Sequence, residues 1–287
     1  MNRRTLATLA ISVFALSACG FRVSLEPTLS EQKIAAIVAS PDRSAADRTN
    51  DQRRKPEQML AFIGVKPGIA ALDVSAAGGY TTELLSRAAG PNGAVYGQSA
   101  PPRADAPRPA QPEGNSSGVA APAAPPATTT QVRRPSSEQL AARAETMRAA
   151  KTVEFAPIVP VVQPFDNPVP AQVTPGRLDL VTFMFNYHDM GFMGVDRDKM
   201  NRAIFAALKP GGTYVIADHA GRPGTGISES GTLHRIEEAF LVREVESAGF
   251  KLAATGDFLR NPNDPKDKNT PDPPQPKDDF VVKFVKP

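Results

Sequence analysis

Two apolar periods alternate along this chain. An apolar run over 70–74, bounded by turn residues, predicts a strand. Gly78-Gly79 then opens a helix over 80–89, and 94–98 reads as a second strand after the tight turn Pro91-Asn92-Gly93. Strand, helix and strand joined by short turns make a βαβ unit, so these strands should run parallel. Further strands are expected at 158–163, 178–185, 213–217, 250–258 and 280–284. The unbroken apolar character of 178–185 suits burial on both faces. Helices are expected at 42–62, with Pro56 suited to a first helical turn, and at 136–150, 196–208 and 232–248. Met200, Ala203, Ile204 and Ala207 form the apolar stripe of the helix over 196–208. The whole reads as an α/β protein: a seven-stranded, mostly parallel sheet with helices on both faces.

Two segments break the pattern. Residues 100–134 are largely Pro, Ala, Gly, Ser and Thr, with eight of the chain's 29 prolines. Such a stretch buries too little apolar surface to offset its ordering entropy, so it reads as a disordered insertion within one domain at 41–287. The other is the N-terminus. Arg3 and Arg4 precede an apolar run over 6–16 that is too short to span a bilayer, and Leu16-Ser17-Ala18-Cys19 follows. This resembles the lipobox of bacterial lipoproteins. The resemblance implies a signal peptide over 1–18, lipid attachment at Cys19, a tether over 19–40, and a location in the cell envelope, anchored to a bacterial membrane and facing the periplasm.

Composition narrows the chemistry. Cys19 is the only cysteine, which leaves the domain without disulfide, thiolate metal site or cysteine nucleophile. The formal net charge is +3, and removing Arg3 and Arg4 leaves 31 basic against 30 acidic residues. No like-charge block stands out, so no nucleic-acid partner is expected. A small-molecule ligand is expected instead. In an alternating β/α chain it binds at the carboxyl ends of the strands, near the turn that follows the first one.

That turn is Asp73-Val74-Ser75-Ala76-Ala77-Gly78-Gly79-Tyr80. It resembles the cofactor turn of class I S-adenosylmethionine-dependent methyltransferases, in which an acidic residue is followed by small residues at alternate positions. Leu178-Asp179-Leu180-Val181, Leu208-Lys209-Pro210-Gly211-Gly212, Asp218-His219 and Leu233-His234-Arg235-Ile236 add to the likeness, which covers 42–287 apart from the insertion. The resemblance implies a Rossmann-like sheet whose last strand, over 280–284 beside that over 250–258, is antiparallel, and S-adenosylmethionine as cofactor, contacted by Asp73, Ser75, Ala77, Gly78, Gly79, Tyr80, Gln98 and Asn186. Ser75 and Ala77 stand where the family has glycines. Gln98 stands where it has the acidic residue that accepts from both ribose hydroxyls, so Gln98→Glu is expected to tighten binding.

The chain has three histidines, His188, His219 and His234. All fall in loops at the expected ligand face. An imidazole there could take a proton from a methyl acceptor, with Asp189 or Asp218 orienting it; each ring could equally serve local loop hydrogen bonds. His188, His219 and Asp218 are the catalytic candidates. Three imidazoles and an aspartate are also metal-ligand types, but their wide sequence spacing gives a metal no specific support and none is assigned. Arg54 and Arg235 are candidates to hold a carboxylate. The expected function is methyl transfer to a small acceptor, and the alternative is a non-catalytic, lipid-anchored binding protein on the same fold.

Overall fold

The computed structural model describes residues 28–101, 136–150, 154–173, 175–269, 271 and 275–287. The expected signal, Cys19 and nearly all of the insertion lie outside them. Seven strands form one sheet: β1 Ala70–Val74, β2 Ala94–Ser99, β3 Ile158–Val162, β4 Leu178–Met184, β5 Leu208–His219, β6 Lys251–Gly256 and β7 Asp279–Val285. Their order is β3-β2-β1-β4-β5-β7-β6. β3, β2, β1, β4 and β5 pair in parallel, while β7 runs antiparallel to both β5 and β6. The sequence direction reverses beside β1, at the β1–β4 boundary, which opens a crevice at the carboxyl edge.

Eight helices accompany the sheet among the described residues: α1 Glu31–Val38, α2 Ala45–Arg54, α3 Pro56–Ile63, α4 Tyr80–Ala89, α5 Ser136–Ala149, α6 Asp189–Phe192, α7 Arg197–Ala207 and α8 Glu238–Ser247. Alternation along the strands builds a core on each face. Leu72 and Val74 of β1 pack with Met200 and Ile204 of α7 and Leu241 and Val245 of α8. Ala71, one residue before Leu72, packs on the other face with α1, α3 and α4. Both faces are therefore covered, which is why the central strands are apolar throughout.

Several expectations need correction. The tether ends earlier than its sequence suggested: residues 31–38 form α1, capped by Ser30, and bury Ile34, Ile37 and Val38. The helix expected over 42–62 is two helices. Lys55 breaks it in the left-handed conformation at φ 44°, and Pro56 begins α3, where its missing N–H costs nothing. The helix expected from 232 starts only at Glu238. Ile236 is drawn away into a bridge with Ala220, a tertiary contact that no local pattern announces. Leu208-Lys209-Pro210-Gly211-Gly212 follows the end of α7 at Ala207 and is the bulged start of β5: Leu178 pairs with Leu208 but Leu180 with Thr213. The strand expected over 250–258 is confined to Lys251–Gly256.

Candidate functional site

The turn after β1 keeps the backbone that glycines would favour. Ser75, Ala77 and Gly79 have φ of 56°, 48° and 83°, so alternate positions are left-handed. For the two L-residues this costs about 1–2 kcal/mol each. The turn is held from β2. Ser75 N donates to Gln98 Oε1 at 2.9 Å, and Ala76 N donates to Gln98 O at 2.8 Å. Gln98 Nε2 donates in turn to Gln163 O at 2.6 Å. Gln98 is fully buried, and both ends of its amide serve the fold. This side chain is a clamp between the turn and the end of β3, which leaves little of its amide for the ribose role expected of it.

Asp73 also faces inward. Its carboxylate accepts from Thr82 Oγ1 at 2.7 Å and Thr182 Oγ1 at 2.8 Å, and burial raises its pKa to about 6. Gly79 has a structural reason to be glycine, since a Cβ there would lie 2.7 Å from Leu140 Cδ1 and 2.9 Å from Arg143 Cδ. The group that approaches its backbone is therefore α5. Arg143 Nε donates to Gly78 O at 2.6 Å, and the same guanidinium pairs with Asp47 and Glu83.

The C-terminal end of α2 stands beside this turn. Tyr80 donates to Asp51 Oδ1 at 2.6 Å, and Asp51 also takes both terminal nitrogens of Arg43. The Arg54 guanidinium lies 4.9 Å from the Tyr80 ring centre and 4.8 Å from that of Phe185, with Arg53 5.0 Å from Phe185. Arg53 Nη2 and Arg54 Nε are buried without a hydrogen-bond partner. Burial lowers the pKa of Arg54 to about 10, which still leaves it cationic at neutral pH. Sequence reasoning named Arg54 but missed Arg53 and Phe185; the only local signal was the Arg53-Arg54 pair at a helix end.

The three histidines come together at the carboxyl ends of β4 and β5. His188 and His219 ring centres are 5.4 Å apart, and His188 and His234 are 5.6 Å apart. Asp218 organises the group: its Oδ1 lies 2.6 Å from His188 Nδ1, and it accepts the backbone N–H groups of His188 and His219. The orienting role expected for Asp218 thus has its geometry. Asp189 stands on the other side, with Oδ1 3.1 Å from His188 Nε2 and 3.2 Å from His234 Nδ1. Asn186 Nδ2 donates to Asp189 Oδ2 at 3.2 Å, and Ser75 Oγ lies 3.3 Å from Asn186 Oδ1, which links the group to the turn.

Charge separates the two buried histidines. Burial disfavours the His188 imidazolium, but Asp218 and Asp189 outweigh it and raise its pKa to about 10. Burial also acts against the Asp189 charge, but His188 and His234 overcome it and hold that carboxyl well below its usual range. The two carboxylates favour the charged form of His188, so the base role expected of it requires that proton to leave first. His219 is in the base form. Burial, reinforced by Lys277 and His188, holds its pKa well below the ordinary value. Its Nδ1 lies 2.6 Å from Asp279 Oδ1, and burial raises the Asp279 pKa to about 7. Asp279 was not foreseen, since nothing near Lys277-Asp278-Asp279 in sequence points to a histidine sixty residues away.

Arg235 does not serve a ligand. It is fully buried, donates to Ala220 O at 3.1 Å and pairs with Asp264 at 2.9 Å, so it ties the 220–236 segment to the loop before β7.

A solved S-adenosylmethionine-dependent methyltransferase from Aquifex aeolicus superposes with a TM-score of 0.52 at 14% identity, over 90% of this chain and 100% of that one. An arsenic(III) S-adenosylmethionine methyltransferase from Chlamydomonas reinhardtii gives 0.52 at 12% identity, over 88% of this chain and 73% of that one. The chain has the class I S-adenosylmethionine-dependent methyltransferase fold. No family model and no curated protein matches its sequence. Within this fold, Arg54, Tyr80 and Phe185 line a cavity beside the switch point, where ligands of open α/β sheets bind.

Proposed function

We propose that the chain transfers a methyl group from S-adenosylmethionine to a small acceptor. The observation that carries this reading is the left-handed backbone at 75, 77 and 79. It is retained although two of the three residues bear a Cβ, and strain of this kind persists where surrounding structure imposes it. The turn fits the methionine half of the cofactor, with Ser75, Ala77 and Gly78 as backbone contacts and Arg53 or Arg54, through its spare donors, for the carboxylate. The ribose side is less well provided, because Gln98 is already committed. When bound, the cofactor supplies an electrophilic methyl group on a sulfonium. The chain's part is to hold the acceptor in line and to receive its proton. His219, held in its neutral form, is the proton acceptor at this end of the sheet, and the His188–Asp218 pair fixes its surroundings. From its sequence we also propose that the protein is held at a membrane of the cell envelope through Cys19.

Calorimetric titration of the full chain with S-adenosylmethionine and S-adenosylhomocysteine tests the reading. One site is expected, and Arg54→Ala should weaken it by about tenfold, the equivalent of one charge-assisted bond. If neither ligand binds at millimolar concentration, the proposal fails.

A further inference from the structure

We propose that His188, Asp189 and His234 form the binding site of one divalent transition-metal ion of the zinc type, ligated through His188 Nε2, a carboxylate oxygen of Asp189 and a ring nitrogen of His234. The three residues offer ligand atoms that all lie within 4.8 Å of one another. Both contacts to Asp189 Oδ1, at 3.1 and 3.2 Å, approach the ligand–ligand edge of roughly 3.3 Å that a tetrahedron with metal–ligand bonds of about 2.0–2.1 Å requires. The donor set, two imidazoles and one carboxylate, is that of an open site, with at least one coordination position left for another ligand.

A second observation points the same way. His188 is fully buried, and its Nε2, 3.1 Å from Asp189 Oδ1, makes no well-directed hydrogen bond. A buried polar atom left unsatisfied costs about 1–3 kcal/mol, and a metal ion in that position would remove the penalty. The rest of the residue is arranged as metal-bound histidines are. Nδ1 contacts the buried Asp218 carboxylate, which fixes the ring orientation and turns Nε2 toward the ligand position. Asn186 bonds the far oxygen of Asp189 and so orients that carboxylate. His234 holds a left-handed backbone, φ 50°, immediately before Arg235, whose buried pairing with Asp264 fixes the segment. Two loops 45 residues apart in sequence are thus locked facing each other. Asp189 and His234 are partly exposed, which leaves the position reachable from solvent. None of the three ligands belongs to the cofactor turn, so the metal site stands independently of the methyl-transfer reading.

The full chain is stripped with a chelator and titrated with Zn²⁺ by calorimetry, with Co²⁺ by visible absorbance, and with Mg²⁺ as the hard-cation control. S-adenosylmethionine is absent throughout, so this result and the cofactor titration on metal-free protein can fail separately. One equivalent of Zn²⁺ should bind, Co²⁺ should develop ligand-field bands, and Mg²⁺ should give no saturable heat. Asp189→Asn and His234→Ala should each weaken Zn²⁺ by at least about tenfold, since even outer-shell partners are worth that much. Both sites are partly exposed, so the metal-free variants should melt close to the parent, which separates ligand loss from unfolding. Absence of saturable Zn²⁺ binding with no Co²⁺ bands overturns the proposal, and so does Zn²⁺ binding of unchanged strength in both variants.

Discussion

The carboxyl edges of β1 and β2 and those of β4 and β5 lie side by side but are finished differently. At the first edge the chain satisfies its own polar groups. Gln98 bonds at both ends, Asp73 takes two threonine hydroxyls, and Arg143 covers Gly78, leaving Ser99 Oγ as the exception. At the second edge His188 Nε2 is left over, and where α2 bridges Tyr80 of the first edge and Phe185 of the second, so are Arg53 Nη2 and Arg54 Nε. Buried polar groups are normally paired, because leaving one unpaired costs free energy, so a cluster of leftovers marks where something other than the chain completes the bonding. The first edge supplies backbone shape, and the second supplies ligand chemistry.

The largest expected effect lies at the second edge. Asp218→Ala would strip acceptors from two backbone N–H groups and from the His188 ring at once. Removing one partner of a buried ion pair costs about 3–5 kcal/mol, which corresponds to a fall of roughly 10 °C in melting temperature for a chain of this size. Thermal unfolding followed by circular dichroism measures it. A drop of only a degree or two would mean that the second edge does not depend on Asp218.

Gln98→Glu tests the first edge and reverses the expectation drawn from sequence. The new carboxylate would face Gln163 O in a buried site with no proton to donate. A destabilisation of roughly 2–3 kcal/mol is expected at pH 8, shrinking on acidification as the carboxyl regains its proton. Tighter S-adenosylmethionine binding by a normally stable variant would break the comparison and restore the ribose role.

Asp73→Asn gives a smaller and pH-dependent effect. Burial raises the folded-state pKa from 3.8 to about 6. The folded protein therefore binds this proton more tightly than the unfolded chain, so stability falls as pH rises from about 4 to about 6 and stays low above that. The gap of about two pKa units is worth up to roughly 3 kcal/mol. The amide variant should escape this loss, melting several degrees above the parent at pH 8 and level with it near pH 4. Equal melting at both pH values would show that the threonines and Arg54 already neutralise the cost of the buried charge.

Much was legible in the sequence. Apolar runs of strand length alternating with 3.6-residue stripes determined the β/α order and the parallel sheet, because those periods record which faces must be buried; the antiparallel last strand came from the family resemblance. The turn at Ser75–Ala77–Gly79 was legible for the same local reason, since small residues at alternate positions allow a left-handed backbone. So was the gathering of the histidines at one edge, which follows from their positions just after strands. What sequence could not carry was the use made of each polar side chain. Gln98 is spent on Gln163, Arg235 on Asp264, and His219 on Asp279, sixty residues away. Tertiary structure alone brought His234 to His188 and Asp189 across 45 residues. A hydrogen bond or ligand contact depends on a few ångströms and a direction, and only the packed sheet with its crossing loops sets those.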